Sequence, residues 1–292
     1  MSALSAVDLT VVGSLNFDVT ARAAALPAPG ETIGGGTLAH SPGGKGANQA
    51  AAAARLGATV RMIGAIGDDE AGISLSAALR DAGVDIGSIA ITRESTGTAL
   101  IVIDTAGENQ IVVCPGANDA IAIDPDTIRS APAILLQFEI PPAVVEEICR
   151  TAEGFLAINA APAREMPTWM VERADLIVVN DSEAAAQPGV RAAKRLVITH
   201  GGDGASFYRD GELAVHVPAV RATVRNTVGA GDAFCAALTC GLLAGIDSRV
   251  ALEAAAAIGA AAVEDTRSQP LFDRWEQYSI AAPRTPAPYP AG

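Results

Sequence analysis

Aromatic residues are scarce in this chain of 292 residues: Phe, Tyr and Trp together make up 4% of it. A core with so few rings must be filled by Ala, Gly and small aliphatics, which suits close packing of helices on sheets. Positive charge is also short. Lys and Arg total 20 against 33 Asp and Glu, a formal charge of -13. The chain therefore lacks the cation excess on which binding to a nucleic-acid backbone rests, and no nucleic-acid partner is expected. Any site for a phosphorylated ligand has to gather its positive potential locally. No stretch approaches the roughly 18 uninterrupted apolar residues needed to cross a bilayer. The N-terminal MSALSAVDLT carries no basic region ahead of its strand-length apolar run, unlike a secretory signal. The cysteines (Cys114, Cys149, Cys235, Cys240) have neither CxxC nor zinc-ligand spacing and read as buried reduced thiols. His40, His200 and His216 likewise have no metal-ligand spacing and read as non-catalytic. These absences predict a cytoplasmic globular protein with no membrane partner.

What is present is a rhythm. Leu9–Gly13, Arg61–Gly67, Ile134–Glu139, Phe155–Asn159, Leu176–Asn180 and Leu196–Gly201 are short continuous apolar runs, as expected of strands covered on both faces. Helical stretches such as NQAAAAARLG, ISLSAALRDAG and AFCAALTCGLLAG lie between them. Several end at a glycine (Gly57, Gly83, Gly245) suited to a left-handed cap. The alternation predicts an α/β fold with a doubly wound, mainly parallel sheet flanked by helices, in one domain spanning 1–292. Two segments break the rhythm. Val19–His40 is rich in Gly and Pro, and Thr98–Val113 reads as a hairpin around Ala106–Asn109. Together, as about 17–40 and 97–114, they predict a small β-sheet lid standing off the core. Its exposed face or edges would need covering, which a second subunit would do. The Pro-rich end, 281–292, reads as a disordered tail.

In an open parallel sheet, ligands bind beyond the carboxyl ends of the strands. Those ends carry Asn16 and Asp18, Asp68 and Asp69, Glu139, Asn159, Asn180 and Thr199. Ser41-Pro42-Gly43-Gly44-Lys45-Gly46-Ala47-Asn48 opens an alanine-rich helix. Its glycines admit a ligand to the backbone, and Lys45 and Asn48 can meet hydroxyl groups; a flexible turn with Asn48 as N-cap is the plainer reading. The GxxxxGK[ST] spacing is absent. Asn226-Thr227-Val228-Gly229-Ala230-Gly231-Asp232 places a Gly-Ala-Gly turn and a carboxylate at another helix start. The N–H groups of Gly229, Ala230 and Gly231 make an anion hollow suited to the terminal phosphates of ATP, and Asp232 can take a proton from an attacking hydroxyl. The alternative is a helix-terminal charge worth about 0.3–1 kcal/mol. Asn180 and Glu183 fit either a capping box or a place near Mg²⁺ and its waters. Thr199-His200-Gly201-Gly202-Asp203-Gly204 is a loop where backbone meets nucleotide phosphates, or a turn.

Taken together, Asn16-x-Asp18, Gly43-Gly44-Lys45-Gly46-Ala47-Asn48-Gln49, Glu139, Asn180-x-x-Glu183 and Gly229-Ala230-Gly231-Asp232 resemble the ribokinase family of sugar kinases, in the family's order and from about Leu9 to Pro270. The resemblance implies that Asn16, Asp18, Gly44, Lys45, Asn48 and Glu139 hold the sugar and that Asp232 is the general base. It also implies that Gly229, Ala230 and Gly231 form the anion hole. Glu183, through water, would serve Mg²⁺, while Asn180, Thr199, Gly201 and Gly204 face ATP. A β lid and a homodimer formed through it are implied as well. The chain departs from the family at its monovalent-cation position, with Asn226 in place of an Asp and Arg267 in place of a Gly. K⁺ activation is therefore expected to be weak or absent, with Arg225 or Arg267 supplying a fixed charge. The predicted reaction is phosphorylation of a pentose, D-ribose to ribose 5-phosphate. A nucleoside kinase, which needs an apolar slot for the base, and a non-catalytic sugar sensor are the rivals.

Overall fold

The computed structural model describes residues 4–279; the tail 281–292, expected to be disordered, lies outside the described residues. The chain begins with β1 (Asp8–Val12), β2 (Asn16–Arg22), β3 (Thr37–Gly43), α1 (Lys45–Leu56), β4 (Thr59–Gly67), α2 (Glu70–Asp81) and β5 (Asp85–Thr92). It continues through β6 (Gly97–Ile103), β7 (Asn109–Cys114), α3 (Pro125–Ser130), β8 (Ala133–Gln137), α4 (Pro142–Thr151), β9 (Phe155–Asn159) and α5 (Thr168–Arg173). Then come β10 (Leu176–Asn180), α6 (Asp181–Ala186), β11 (Arg195–Thr199), β12 (Ala205–Arg209), β13 (Glu212–Val217), α7 (Ala230–Leu243), α8 (Ser248–Glu264) and α9 (Glu276–Ser279).

The large sheet has nine strands in the order β13-β12-β11-β10-β9-β8-β1-β4-β5. From β11 to β5 every pair is parallel. Successive side chains of a strand point to opposite faces, and both faces are covered. Val11, Leu135, Ala157, Val178 and Val197 pack with α1, α2, α7 and α8. Val12, Leu136, Ile158, Val179 and Ile198 pack with the α3–α6 layer. That double burial explains why these strands read as continuous apolar runs. Crossovers of one hand then bring all their carboxyl ends to one edge.

Three strands lack that signature. β5 lies at an edge and pairs with β4 alone, so its residues are exposed or half-buried. β12 and β13 form an antiparallel hairpin that interrupts the strand–helix rhythm. Its turn is Asp210-Gly211, with φ of +50° and +83°, a pairing whose twist matches the flanking strands.

The two helix-free segments form a separate four-stranded sheet, β3-β2-β6-β7, with β6 and β7 the anticipated hairpin. Three cysteines are buried thiols, but Cys114 ends β7 exposed. The expectation of four buried thiols is corrected there: β7 is an outer strand with no layer above it.

The segment after α8 is anchored by Trp275. The residue is 1% exposed, its ring lies against Gly241 of α7, and its backbone N–H donates to the Leu56 carbonyl at the end of α1 (3.3 Å). Trp275→Ala should lower the unfolding free energy by about 3–5 kcal/mol in a urea titration; a shift below about 1 kcal/mol would remove this anchor.

Candidate active site

Asn16 and Asp18 sit on β2, a strand of the small sheet, and are buried on one face beside Gly43 and Ser41 of β3. Their position is tied to the core by Asn118, in the turn after β7. Asn118 Oδ1 accepts the Leu15 N–H (2.8 Å), while its Nδ2 donates to Asn16 Oδ1 (2.8 Å). With its oxygen engaged, Asn16 turns its amino group outward as a donor.

β3 ends at Gly43, and α1 starts without a side-chain cap at Gly44, whose φ is +88°. An extra Cβ there would meet the backbone of Ser14 and Asn16, so only glycine fits. Lys45 is the first helical residue. Its backbone N–H donates to Glu139 Oε2 (3.1 Å), and Ser14 Oγ donates to the same oxygen (2.6 Å). Glu139 is thereby pinned at the end of β8. Asn48 and Gln49, one turn into α1, reach α7: Asn48 Nδ2 donates to Asp232 Oδ2 and Gln49 Nε2 to Asp232 Oδ1, both at 3.0 Å. Asn48 is therefore not the N-cap that its spacing allowed.

The pocket's electrostatics follow from burial. Asp18 is pushed up to about 7, first by loss of solvent and then by Glu139 and Asp232. Asp232 is raised by burial, against the opposing pull of Lys45, Asn48 and Gln49. Lys45 is held above its ordinary value chiefly by Asp232, with Glu139 and Glu183 adding to the effect. One ammonium thus faces three carboxylates, a balance hostile to a second anion and suited to a neutral polyol.

At the start of α7, Gly229 has φ +80°, and a Cβ on it would strike the Ser268 carbonyl. The N–H groups that follow are those a helix leaves without an intrahelical partner. Asn180 and Thr199 are register partners at the ends of β10 and β11. Asn180 and Glu183 form a reciprocal capping box, with both bonds at 2.8 Å. Gly201 and Gly204 bracket a short turn, with φ of +55° and +101°. His200, just ahead of it, joins Asp181 (2.7 Å) and Ser206 (2.9 Å), and Ser206 reaches His216 (3.1 Å). These histidines brace the loop. Asp69, a strand-end carboxylate in the sequence reading, belongs elsewhere: it caps α2 and binds Thr96.

Asn226 and Arg267 lie in the loops flanking α7 and α8. Asn226 Nδ2 donates to the Thr266 carbonyl (3.2 Å), and its Oδ1 accepts the Val228 N–H (3.1 Å). The Val263 carbonyl takes the N–H groups of Arg225 and Asn226 (2.7 and 3.2 Å). Arg267 forks onto Asp265, which lowers that carboxyl to about 2 through hydrogen bonds and charge that outweigh its burial. Arg267 is therefore spent on its neighbour and is not a free fixed charge. In these loops the Asn226 amide directs a donor at the Thr266 carbonyl, and the Val263 carbonyl already accepts two N–H groups.

Sequence reasoning missed Ser14, Asn118 and Gln137 beside these residues, and named Gln49 in its motif without giving it a role. The readable signal was a glutamine inside an otherwise apolar buried run, ILLQF, and another at the head of a row of alanines. Because Asp18 keeps its proton far above the unfolded value of 3.8, the ligand-free fold is best supported by this group below pH 4. It loses that support as pH rises through about 7. Asp18→Asn should therefore melt above the parent protein at pH 8, with the gap closing toward pH 4; a lower melting temperature at pH 8 would contradict the assignment.

The sequence profile of the pfkB family carbohydrate kinases matches residues 7–274. A ribokinase of Bacillus subtilis is 36% identical over 262 residues, covering 84% of this chain and 89% of that protein. An ATP-dependent ribose-1-phosphate kinase of Halopiger xanaduensis is 33% identical over 280 residues, covering 89% and 94%. Among solved structures, Arabidopsis thaliana ribokinase complexed with ribose and ATP superposes with a TM-score of 0.86 at 26% identity, over 95% of this chain and 100% of that one. A profile match over nearly all the described residues, on a fold and pocket of this kind, makes the chain a member of the pfkB family of carbohydrate kinases.

Proposed function

We propose that the protein transfers the γ-phosphoryl group of ATP to the primary hydroxyl of D-ribose, giving ribose 5-phosphate and ADP. The observation that carries this reading is the buried Asp232 carboxylate at the start of α7, gripped by Asn48 and Gln49 in the pocket that also holds Asn16, Asp18, Lys45 and Glu139. Asn16, Asp18, Gly44, Lys45, Asn48 and Glu139 hold the sugar hydroxyls. Asp232 accepts the proton of the attacking hydroxyl, its affinity for protons raised by burial. The N–H groups of Gly229, Ala230 and Gly231 receive the oxygens of the transferring group. Asn180, Thr199, Gly201 and Gly204 face the nucleotide. Glu183 spends one carboxylate oxygen on its cap and keeps the other, which fits a Mg²⁺ carried mainly by phosphates and reached through water. That ion, when bound, neutralises charge on the phosphates.

The remaining features complete the reading. The chain works as one domain, with the small sheet as a lid over the sugar. Leu38, Leu100, Ile111, Val112 and Val113 are exposed on that sheet, and a second copy covers them in a homodimer. Three buried free thiols suit the cytoplasm, and among the described residues no helix is long and apolar enough to cross a membrane. Potassium is not an activator, since Asn226 cross-links the loops directly.

The ribose-1-phosphate kinase reading is weakened by the pocket's charge, because a phosphorylated sugar brings two more negative charges to three carboxylates and one lysine. A nucleoside kinase needs a flat slot, and the lid's one aromatic pair, Phe17 on His40 with centroids 5.5 Å apart, is the feature that would serve it.

ADP release with Mg·ATP should be highest with ribose among ribose, deoxyribose, fructose, ribose 1-phosphate, adenosine and uridine. Preference for another acceptor redirects the pocket reading, and sugar binding in calorimetry without turnover marks a sensor. Asp232→Asn should lower kcat by about 10²–10⁴-fold while ribose still binds; near-parental turnover removes Asp232 from this role. Exchanging KCl for choline chloride should leave turnover unchanged, and stimulation by K⁺ of about tenfold or more, some 1.4 kcal/mol of barrier, would overturn the cation reading.

A further inference from the structure

Beneath Asp232 lies a chain of side-chain amides that touches no sugar-loop hydroxyl partner except Asp232 itself. Gln49 Nε2 donates to Asp232 Oδ1 and also to Asn159 Oδ1, each at 3.0 Å. Asn159 Nδ2 in turn donates to the Val178 carbonyl (3.1 Å). Gln137 Nε2 donates to Gln49 Oε1 at 2.6 Å. Gln49 and Gln137 are fully buried, and Asn159 is 8% exposed. The residues come from α1, β8 and β9, so the chain links the sheet to the carboxylate on α7.

Its direction is set at the far end. A backbone carbonyl can only accept, so Asn159 must turn its amino group to Val178 and its oxygen to Gln49. Gln49 must then direct its amino group toward Asn159 and Asp232, and Gln137 must donate to the oxygen left on the other side. Reversing Gln49 would set its carbonyl oxygen against both the Asp232 carboxylate and the Asn159 oxygen. Neither Gln49 nor Asn159 can flip alone without breaking at least two contacts, and flipping Gln137 would set its oxygen against Gln49 Oε1.

We propose that Gln49, Gln137 and Asn159 form a positioning relay that fixes the plane of the Asp232 carboxylate by keeping an N–H donor on its Oδ1, the counterpart of the Asn48 donor on Oδ2. Gln49 donates to Asp232 directly; Gln137 and Asn159 act through Gln49. The relay rests on Asp232 as the general base and adds the residues that orient it. Amides suit the task because they hold a carboxylate without exchanging protons with it, leaving proton transfer to Asp232 and the substrate. The charged and titratable groups that act on Asp232 are Lys45 and Glu139, with Asp18 and Cys235 close by, and none of them belongs to the relay. A substitution in the relay therefore leaves the pocket's other charges in place.

The test is Gln137→Met, which keeps the side chain's length and removes the donor to Gln49. The variant should fold, as judged by thermal melting. Its kcat should fall about 10- to 100-fold, with the KM for ribose within about threefold. The acid limb of its kcat–pH profile should move up by about one unit as the donor to the carboxylate becomes mobile. Carbon-13 NMR of the ligand-free protein, with Asp232→Asn to assign the signal, should show the same upward movement of the Asp232 carboxyl titration. That measurement needs no substrate, so it reads the relay even if the acceptor proves not to be ribose. A folded Gln137→Met with unchanged kcat and an unchanged Asp232 titration overturns the proposal. If Gln137→Met does not fold, the parental protein decides. Side-chain amide signals of Gln49 and Gln137 that resist exchange and move with the Asp232 titration support the relay, and signals that exchange at the solvent rate overturn it.

Discussion

Asp232 carries a carboxylate that has been removed from water, and an uncompensated buried charge costs more than a small domain can supply. Its compensation comes from three directions: the amides of Asn48 and Gln49, the ammonium of Lys45, and the open N-terminus of α7. The first two directions belong to one turn of α1. The arrangement therefore requires α1 and α7 to lie close together, which explains the alanine-rich face of one and the Ala, Cys, Gly and Thr content of the other. Large side chains between these helices would part the carboxylate from its donors. The scarcity of aromatic residues is, in this light, a condition of the site as much as a property of the core.

The same economy of contacts ties the small sheet to the pocket. β2 is at once the strand that carries Asn16 and Asp18 and the parallel neighbour of β6 in the small sheet. Asn118 closes the connection from β7 back onto Leu15 and Asn16. Movement of that sheet cannot leave Asn16 and Asp18 behind. On the opposite side, Ser268 donates to the Pro42 carbonyl (2.9 Å), and its own carbonyl seats Gly229. The loop after α8 thus touches both the end of β3 and the Gly-Ala-Gly turn, held by the Asp265–Arg267 pair within it and by the Asn226 bond from the loop before α7.

Much of the fold was readable in advance because the relevant signals are local. Strands buried on both faces show themselves as unbroken apolar runs, and a glycine-rich turn marks a helix start. The Asp210-Gly211 turn was equally readable and was passed over because antiparallel strands interrupt the expected rhythm. β5 was less readable, since an edge strand with one neighbour needs little apolar surface. At Asn226 the change of residue type was legible. What it does was not, because its amide could have been directed at solvent, at a ligand or, as found, at the Thr266 carbonyl.

The sequence by itself determined the alternation of doubly buried strands with helices, the two helix-free segments, and where glycine-rich turns open helices. Each of these depends on residues a few positions apart, within reach of backbone geometry and side-chain period. Only the tertiary structure decided which carboxylates share a pocket. Asn48 and Asp232 are 184 positions apart and meet because the starts of α1 and α7 lie at the edge where the parallel strands' carboxyl ends gather. It also decided that Asp69 caps a helix while Asp18 sits among other carboxylates, and that Gln137 and Gln49 face each other rather than solvent. The side chains are of the same types in each case. What differs is the depth at which the fold places them, and depth sets the cost of leaving a polar group without a partner.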